Sequence, residues 1–387
     1  MPTLVEAPRD SYDGSVEIDV VTRWSGFVEM EQEWNQLWER SPQKSNIFLT
    51  HQWFRAWLEA FGEDKDLLIL RLQSGGRLIG IAPLMRHEVR YHGLPIRLLS
   101  LITNDHTNRA EFILAERSRE CVSRVLDFVS RHAGEWDMAE LNFVPADSVT
   151  AEAVARRAGE FGLVCGIKPS HHSLFIPLNG DWETFYGSLG GHFRRNLRNR
   201  EKRLAALGEI RYEECFEPRD GFLEEMFVVG EKSWKGTETK TAIASTFALR
   251  RFYSRLAELS GPKGWLSLHL LRVGGKPIAF HYSLRNDRAI GLLKTEYDLA
   301  YQTYSPGHQI QKLVLESCYA RGLSEFDFLG PDMEWKREWA DRTRVHARLL
   351  LFRPGLRSRI LAFLELDAKP ALKRSRLIRR FLPDPAA

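Results

Sequence analysis

The sequence predicts an α+β fold built from two related halves, each a mixed sheet flanked by helices. Two hairpins carry this prediction: apolar strands flank Gln73-Ser74-Gly75-Gly76 in the first and Gly274-Gly275 in the second. A glycine-containing loop between apolar strands is typical of a tight hairpin. Each hairpin is followed by a strand, a helix and another strand, so the repeat is a whole α+β unit and not a short solenoid motif.

At 387 residues the chain is long for one hydrophobic core, and two domains are expected. We place the first domain at residues 17–176 and the second, which carries the chemistry, at residues 177–352. Residues 1–16 contain no continuous apolar run, so they predict a disordered tail and not a signal peptide or membrane anchor. Residues 353–387 are predicted to form a basic amphipathic tail.

Charge and cysteine content exclude several classes of protein. The formal net charge is +4, but residues 355–382 alone carry +6, so the remainder is near −2. Such a body gives no indication of nucleic-acid binding. The four cysteines lie far apart without a CxxC pair, which favours reduced thiols in the cytoplasm over disulfides or a metal centre.

The first half begins with two aromatic-rich amphipathic helices, in residues 18–40 and 47–62, whose rings we expect in the core. The elements that follow are predicted from their apolar periodicity. They are strands Leu67–Leu72, Leu78–Leu84 and Leu98–Ile102, helix Arg117–Arg131, strand Trp136–Val144, helix Thr150–Phe161 and a strand from Leu163. The polar run NDHTNRAEF precedes the first of these two helices.

Between the halves lies an arginine-rich helix, HFRRNLRNREKRLAALG, with six cations between Arg194 and Arg203. So much like charge on one helix is repulsive, which favours an anionic partner over a merely solvated face. We therefore predict that Arg194, Arg195 and Arg198 bind an anionic acceptor. The competing interpretation is that they hold the two domains together.

The stretch from Tyr304 to Gly330 is the predicted centre of the chemistry. Pro306 at a first helical position and Gly322 at the end delimit one amphipathic helix, followed by a short buried parallel strand, Phe326–Leu329. The helix N-terminus carries free N–H groups and about half a positive charge, which favours an anion such as a pyrophosphate.

Four segments resemble the tandem GNAT acyltransferases, and more narrowly the FemAB-like proteins and the CelD-like acetyltransferases of bacterial polysaccharide synthesis. The segments are FRRNLRNREKRLAALG, GGKPIAF, YSPGHQ and FDFLGPDMEWKREW. The resemblance implies a tandem GNAT fold with a degenerate first domain, and an acetyl-CoA or other acyl-CoA co-substrate. It places the donor at the turn formed by Tyr304, Ser305, Pro306, Gly307, His308 and Gln309. This turn has one glycine, whereas the usual GNAT loop is Q/R-x-x-G-x-G/A.

Transfer to an amine requires a proton acceptor, since deprotonating a lysine-like amine at pH 7 costs about 4–5 kcal/mol. The candidates are Glu296, which follows an apolar strand where burial would raise its pKa, His281 on the second hairpin, and Asp327. The family places a lysine after the last strand, which here is Lys336, where it could steady an oxyanion. Structural alternatives are a hydrogen-bonded sheet histidine, an aspartate that caps backbone, and a lysine lying across Trp335 and Trp339.

Three functions remain open from the sequence: an acyl-CoA-dependent N- or O-acyltransferase with a small-molecule or glycan acceptor, an aminoacyl-tRNA-dependent ligase, and a catalytically silent scaffold of an envelope assembly. The C-terminal tail also has two interpretations. Leu356, Ile360, Phe363 and Leu364 form an apolar stripe that could lie on an anionic membrane or dock on the second domain.

Overall fold

The computed structural model describes residues 15–219, 221–239 and 241–368. The predicted N-terminal tail therefore lies almost entirely outside the described residues. At Val16 the prediction is wrong, because this side chain is fully buried and its carbonyl accepts a hydrogen bond from Arg124 Nε. The first core thus includes a residue that sequence composition assigns to the tail.

The first half contains the predicted helices and strands, except for the single helix expected over residues 18–40. Its elements are β1 (Glu17–Val21), α1 (Trp24–Glu29), α2 (Glu31–Arg40), α3 (His51–Phe61), β2 (Asp66–Ser74), β3 (Arg77–Tyr91), β4 (Leu94–Leu101), β5 (Ile113–Leu114), α4 (Ser118–Arg131), β6 (Met138–Pro145), α5 (Val149–Arg157) and β7 (Val164–Pro177). Short 3₁₀ turns lie at Ile47–Leu49, Ala133–Glu135 and Ala158–Phe161. The helix expected over residues 18–40 is in fact a strand and two helices.

From β8 onward the second half repeats the order of helices and strands, with two helices in place of three and without a counterpart of β5. Its elements are α6 (Trp182–Ser188), α7 (Gly191–Ala205), β8 (Ile210–Cys215), α8 (Phe222–Glu231), α9 (Phe247–Ser260), β9 (Leu266–Val273), β10 (Lys276–Arg285), β11 (Ala289–Tyr297), α10 (Pro306–Ala320), β12 (Glu325–Asp327), α11 (Glu334–Arg337), β13 (Arg342–Phe352) and α12 (Leu356–Ala362). Turns of 3₁₀ helix occupy Gly261–Lys263 and Leu299–Tyr304, and π-helical turns occupy Lys235–Thr239 and Phe363–Ala368.

The strands form one continuous 13-stranded sheet, in the order β1-β2-β3-β4-β6-β13-β7-β12-β11-β10-β9-β8 with β5 on β3. The prediction of two separate sheets is therefore wrong. The two halves exchange strands at the centre of the sheet. Strand β13 of the second half lies between β6 and β7 of the first, and β7 pairs on its other side with β12 of the second. Because every central strand has a partner on both sides, the exchange leaves no sheet edge between the halves. The domain division near residue 177 stays a prediction.

The order of strands is the same outward from the centre in both halves, which bears out the repeat inferred from the hairpins. The β2–β3 and β9–β10 loops both have consecutive glycines at positive φ, 56° and 75° for Gly75 and Gly76, and 55° and 79° for Gly274 and Gly275. These angles suit the type I′ turn that matches strand twist, and they favour glycine.

The predicted aromatic residues lie in the core. Trp34, Trp53 and Trp57 are buried in one cluster with residues of α9, where the ring of Trp53 contacts Phe252. Helices α1–α3 of the first half therefore pack with α8 and α9 of the second on one face of the sheet. On the opposite face α7 and α10 pack on β10 and β11, through residues such as Leu197, Ile310 and Val314. Each helix layer therefore covers one face of β11.

Helix α12 docks on the sheet, but not through the predicted stripe. Leu361 is fully buried and packs with Leu350 and Phe352, whereas Leu356 and Phe363 are 79% and 60% exposed. No helix in the described ranges is long and apolar enough to cross a membrane. Residues 369–387 of the predicted tail lie outside the described residues.

Candidate active site

The candidate site lies where the parallel strands β11 and β12 separate. They pair only at Ala289–Glu325, Ile290–Phe326 and Gly291–Asp327. Beyond these three pairs, a cavity of about 450 Å³ lies between the end of β11 and the segment that follows β12. Residues of both halves line it: Asp105, His106, Asn108, Lys235, Tyr253, residues 292–297, Ser305, Gly307, His308, residues 328–331 and Lys336.

The N-terminus of α10 borders this cavity, as expected. Ser305, Gly307 and His308 line it, and Gln302 of the preceding 3₁₀ turn joins them. The amides of His308 and Gln309 donate to the Ser305 carbonyl. Since Pro306 has no N–H, this leaves the Gly307 amide without a hydrogen-bond partner among the described residues, and a helix N-terminus of this kind favours an anion.

The remaining residues of the predicted donor turn support it from behind. Tyr304 packs under the Arg203 guanidinium, 5.4 Å from its ring centre, and Pro306 is buried. Gln309 is also buried, and its Nε2 donates to the Leu197 carbonyl at 3.0 Å, which ties α10 to α7. These three side chains position the helix and do not line the cavity.

Glu296 is the predicted base that the structure places in the cavity. Its side chain is buried, 3% exposed, and its two oxygens accept the Ile243 amide at 3.1 and 3.3 Å. Burial raises the pKa of Glu296, against the opposing effect of the nearby Lys235 and Lys294. The direction is the one expected from the sequence, and a higher pKa makes the carboxylate a stronger proton acceptor.

Lys336 also reaches the cavity and is 5% exposed. Its Nζ donates to the carbonyls of Leu329 at 2.6 Å and Pro331 at 2.8 Å, and burial lowers its pKa to about 8. Leu329 and Gly330 have φ of 49° and 55°, a left-handed bend that is unfavourable for leucine. Lys336 thus holds a strained bend at the cavity wall and does not simply lie across the tryptophans.

Asp327 faces away from this cavity. One carboxylate oxygen accepts from Arg109 at 2.5 Å and from Arg344 at 2.7 Å, while the other accepts the Leu329 amide at 2.8 Å. Both oxygens are therefore engaged, and Asp327 serves the same left-handed bend as Lys336. The geometry matches the capping alternative that the sequence left open.

His281 is not brought to the cavity. It is completely buried on β10, neither ring nitrogen has a hydrogen-bond partner among the described residues, and burial lowers its pKa well below the ordinary value. The alternative of a hydrogen-bonded sheet histidine is therefore also not met. Of the three proposed bases, Glu296 alone lines the cavity.

Helix α7 packs beside α10, but Arg194, Arg195 and Arg198 do not line the cavity. Arg194 Nε donates to the Leu189 carbonyl, while Arg195 and Arg198 are exposed. A neighbour further along the helix, Arg200, instead donates to Ser305 Oγ at 2.5 Å. The structure therefore gives no support to acceptor binding by Arg194, Arg195 and Arg198, which stays a prediction.

Four side chains at the cavity had not been singled out from the sequence: His106, Lys235, Tyr253 and Lys294. Burial lowers the pKa of His106 to about 4 and raises that of Tyr253, so both are neutral at pH 7. His106 belongs to the polar run NDHTNRAEF, whose composition signals a loop. Only the pairing of the two halves shows that this loop reaches the other half.

Residues 191–337 match the family described as acetyltransferase (GNAT) domain. This span includes α7, the second hairpin, the α10 turn and Lys336, which are the segments that carry the resemblance. The match to a GNAT domain therefore lies within the second half of the chain. The family implies an acyltransferase, and the GNAT fold implies an acyl-CoA co-substrate.

Solved structures show the same fold over most of the chain. FemX matches 90% of this chain and 99% of its own length, at 11% identity and a TM-score of 0.58. The C-terminal domain of a putative lysylphosphatidylglycerol synthetase from Agrobacterium fabrum matches 89% and 96%, at 14% identity and a TM-score of 0.52. A protein of unknown function from Bacteroides thetaiotaomicron matches 87% and 100%, at 10% identity and 0.52. Among curated proteins, none matches the sequence.

Proposed function

We propose that the protein transfers an acyl group from acyl-CoA to an amine or hydroxyl of a small acceptor, at the cavity between β11 and β12. The observation that carries this proposal is the separation of these strands after three residue pairs, next to the N-terminus of α10. The cavity of about 450 Å³ between the strands would receive the thioester, and the helix end suits its phosphates.

The residues present fit acyl-CoA. The free Gly307 amide and the positive end of the α10 macrodipole would hold its phosphates, since nothing acidic on α10 precedes Glu316. A methyl group at Gly307 would meet Tyr297 only at ordinary contact distance, 3.5 Å, so the helix end is accessible without being crowded. When bound, acyl-CoA supplies an activated thioester carbonyl.

Residues of the chain account for the proton steps. Strand β11 has a bulge at Leu293, because Tyr282 of β10 pairs with Lys294 and Ser283 pairs with Leu292. Bulges often occur beside active sites, where they change the direction of the strand's side chains. Glu296 would take the proton that the acceptor loses. The hydroxyl of Tyr253 stays protonated at neutral pH because burial raises its pKa, so it would donate a hydrogen bond to the departing thiolate, and the proton taken by Glu296 would end on that sulfur.

Thermal unfolding in the presence of an acyl-CoA panel tests the proposal. A donor at 100 times its Kd stabilises the folded state by about 2.7 kcal/mol, which raises the Tm measurably. We expect stabilisation by acetyl-CoA or a longer acyl-CoA. Stabilisation by aminoacyl-tRNA and by no acyl-CoA would instead favour the ligase, and stabilisation by neither would favour the scaffold.

The resemblance to CelD-like proteins supports a role for this acyltransferase in bacterial polysaccharide or envelope biosynthesis, in the cytoplasm. We further propose that the C-terminal segment contacts an anionic membrane surface. Leu356 and Phe363 are exposed, as is Arg359, and the following sequence adds six lysines or arginines between Lys369 and Arg380. Each cation near an anionic leaflet contributes about 1 kcal/mol at most.

Sedimentation with anionic liposomes tests this contact in the full-length protein. Replacing Leu356 and Phe363 by Ser should reduce pelleting at low salt, because the apolar anchor is lost. Phe247→Ser is the matched control, since Phe247 is 81% exposed elsewhere. Equal pelleting of all three proteins would contradict membrane contact through this segment.

A further inference from the structure

Two cavity lysines, Lys235 and Lys294, have no carboxylate partner among the described residues, and we call them the lysine pair. Lys235 Nζ donates to the Thr295 carbonyl at 3.2 Å, and Lys294 Nζ to the Thr241 carbonyl at 2.9 Å. Both side chains are only partly exposed. Lys235 Nζ also lies 5.9 Å from the centre of the Trp234 ring. Partly buried ammonium groups without a carboxylate at ion-pair distance are costly, and an anion bound between them would offset that cost.

The lysine pair lies on the α8–α9 face of β11. Lys235 begins the π-helical turn in the α8–α9 connection. Lys294 and Glu296 both hydrogen bond to this connection, through Thr241 and Ile243. Helix α10 packs on the other face, where Ile310 joins a cluster with Leu292. The pair is thus separated by the strand from the helix end that suits the donor's phosphates.

Positive charge predominates around the pair. Lys336 lines the same cavity, and Lys235 is close enough to Lys294 and Lys336 to disfavour the charged form of each, after burial. Asp105 and Glu296 are the acidic residues among the cavity's described lining, and burial opposes the ionisation of Glu296. An anionic group would balance this arrangement.

We propose that the lysine pair binds an oxyanion of the acceptor, a carboxylate or a phosphate monoester, on the α8–α9 face. That this oxyanion belongs to the acceptor rests on the proposed function. The nucleophile would then approach from this face, beside Glu296, while the donor's phosphates lie at α10. Specificity for an anionic acceptor would thus reside in Lys235 and Lys294 and not in the arginines of α7.

Calorimetric titration of the full-length, CoA-saturated protein tests this site. The probes are succinate, methyl phosphate and the neutral analogue succinamide. We expect one of the two anions to bind, succinamide not to bind, and Lys235→Gln or Lys294→Gln to weaken anion binding at least tenfold, the loss of one charge-assisted hydrogen bond. The tighter-binding anion identifies the class of acceptor.

Lys232→Gln is the matched control, because Lys232 is an exposed lysine that lies 3.8 Å from Asp298, and it should leave anion binding unchanged. Thermal unfolding should show that all variants remain folded at the temperature of the titration. No saturable anion binding, or binding that both cavity variants retain, would overturn the proposal.

The same titrations keep the two proposals apart. CoA is titrated first, and each anion is also titrated without CoA. Absence of CoA binding with an intact, lysine-dependent anion site would overturn the proposed function but not the lysine site. CoA binding without lysine-dependent anion binding would overturn the lysine site and leave the proposed function standing.

Discussion

The two halves of the sheet contain the same parallel strand pair, and only one of these pairs opens into the cavity. In the first half β4 and β6 pair from Leu98 to Ser100, and α4 connects them; in the second, β11 and β12 pair over three residues, and α10 connects them. Each second strand has a nearby residue in the left-handed region: Phe143, with φ of 61°, lies within β6, and Leu329, with φ of 49°, lies two residues after β12.

The halves differ in the connection that follows the first strand of each pair. From β4 to α4 the chain runs through residues 102–117, and the Ala110 amide donates to the Phe143 carbonyl at 3.0 Å, so this connection hydrogen bonds to the bend itself. From β11 to α10 it runs only through residues 298–305, and Leu329–Pro331 instead line the cavity. The longer connection in the first half thus covers the bend at Phe143, and it also places His106 in the cavity beside β11 of the second half.

The largest effect is expected from a negative charge at the N-terminus of α10. Gly307→Glu should weaken CoA binding at least a hundredfold, because a carboxylate would oppose the donor's phosphates and occupy the helix end. Isothermal titration with CoA measures this effect, and circular dichroism shows whether the fold is kept.

Two controls sharpen this comparison of the halves. Gly307→Ala adds a methyl group without charge, and Ser118→Glu places a carboxylate at the corresponding end of α4. Both should bind CoA within about twofold of wild type. Unchanged CoA affinity in folded Gly307→Glu would remove the donor site from α10.

Glu296→Gln is expected to lower the rate at which CoA is released from acetyl-CoA by a factor of about 10²–10³, which is within the range of general base catalysis. The affinity for CoA should be nearly unchanged. A base acts when ionised, and burial raises the pKa of Glu296, so wild-type kcat/KM should fall as pH drops through a value above that of an ordinary glutamate. This acidic limb should disappear in the variant. A variant with full activity and the same limb would exclude Glu296 as the base.

Lys336→Met should have a moderate effect, because two buried carbonyls at the strained bend lose their donor. We expect the free energy of unfolding at pH 7 to fall by about 1–3 kcal/mol, measured by urea titration. Burial lowers the pKa of Lys336 to about 8, so the unfolded chain binds more protons between that value and the ordinary value, 10.5. The free energy of unfolding of the wild type should therefore contain a contribution that rises with pH over this window, and the variant should lack it. Identical pH dependence in both proteins would contradict this role.

The smallest effect is expected for the arginines of α7. Changing Arg194, Arg195 and Arg198 to Gln should alter anion binding and CoA release less than twofold, because these side chains do not line the cavity. A marked rise in acceptor KM, with weaker salt dependence, would restore the original interpretation of this helix.

Local patterns in the sequence predict much of the second half. Paired glycines predict both hairpins, and Pro306 with Gly322 predicts α10 to within a residue or two, because these residues act through backbone conformation alone. The raised pKa of Glu296 also follows from its apolar strand. The exchange of β7 and β13 depends on pairing between distant segments, which no local period encodes.

Parts of the candidate site could not be predicted for the same reason, because they depend on contacts between distant segments. His106 and Lys235 lie in polar connections whose composition indicates only a loop, and their convergence on β11 is a property of the assembled sheet. Asp327 and His281 have plausible residue types on the expected strands. Sequence cannot show that the ion pairs of Asp327 and the complete burial of His281 keep both from the cavity.

Amide hydrogen exchange with and without CoA tests the central claim most directly, because it compares both halves in one protein. Bound CoA should slow exchange at residues 305–309 and 328–331, where the donor is proposed to lie, and leave residues 118–122 and 142–145 of the first half unchanged. Equal protection of the two halves, or protection confined to the first, would contradict the assignment of the donor site to the opening between β11 and β12.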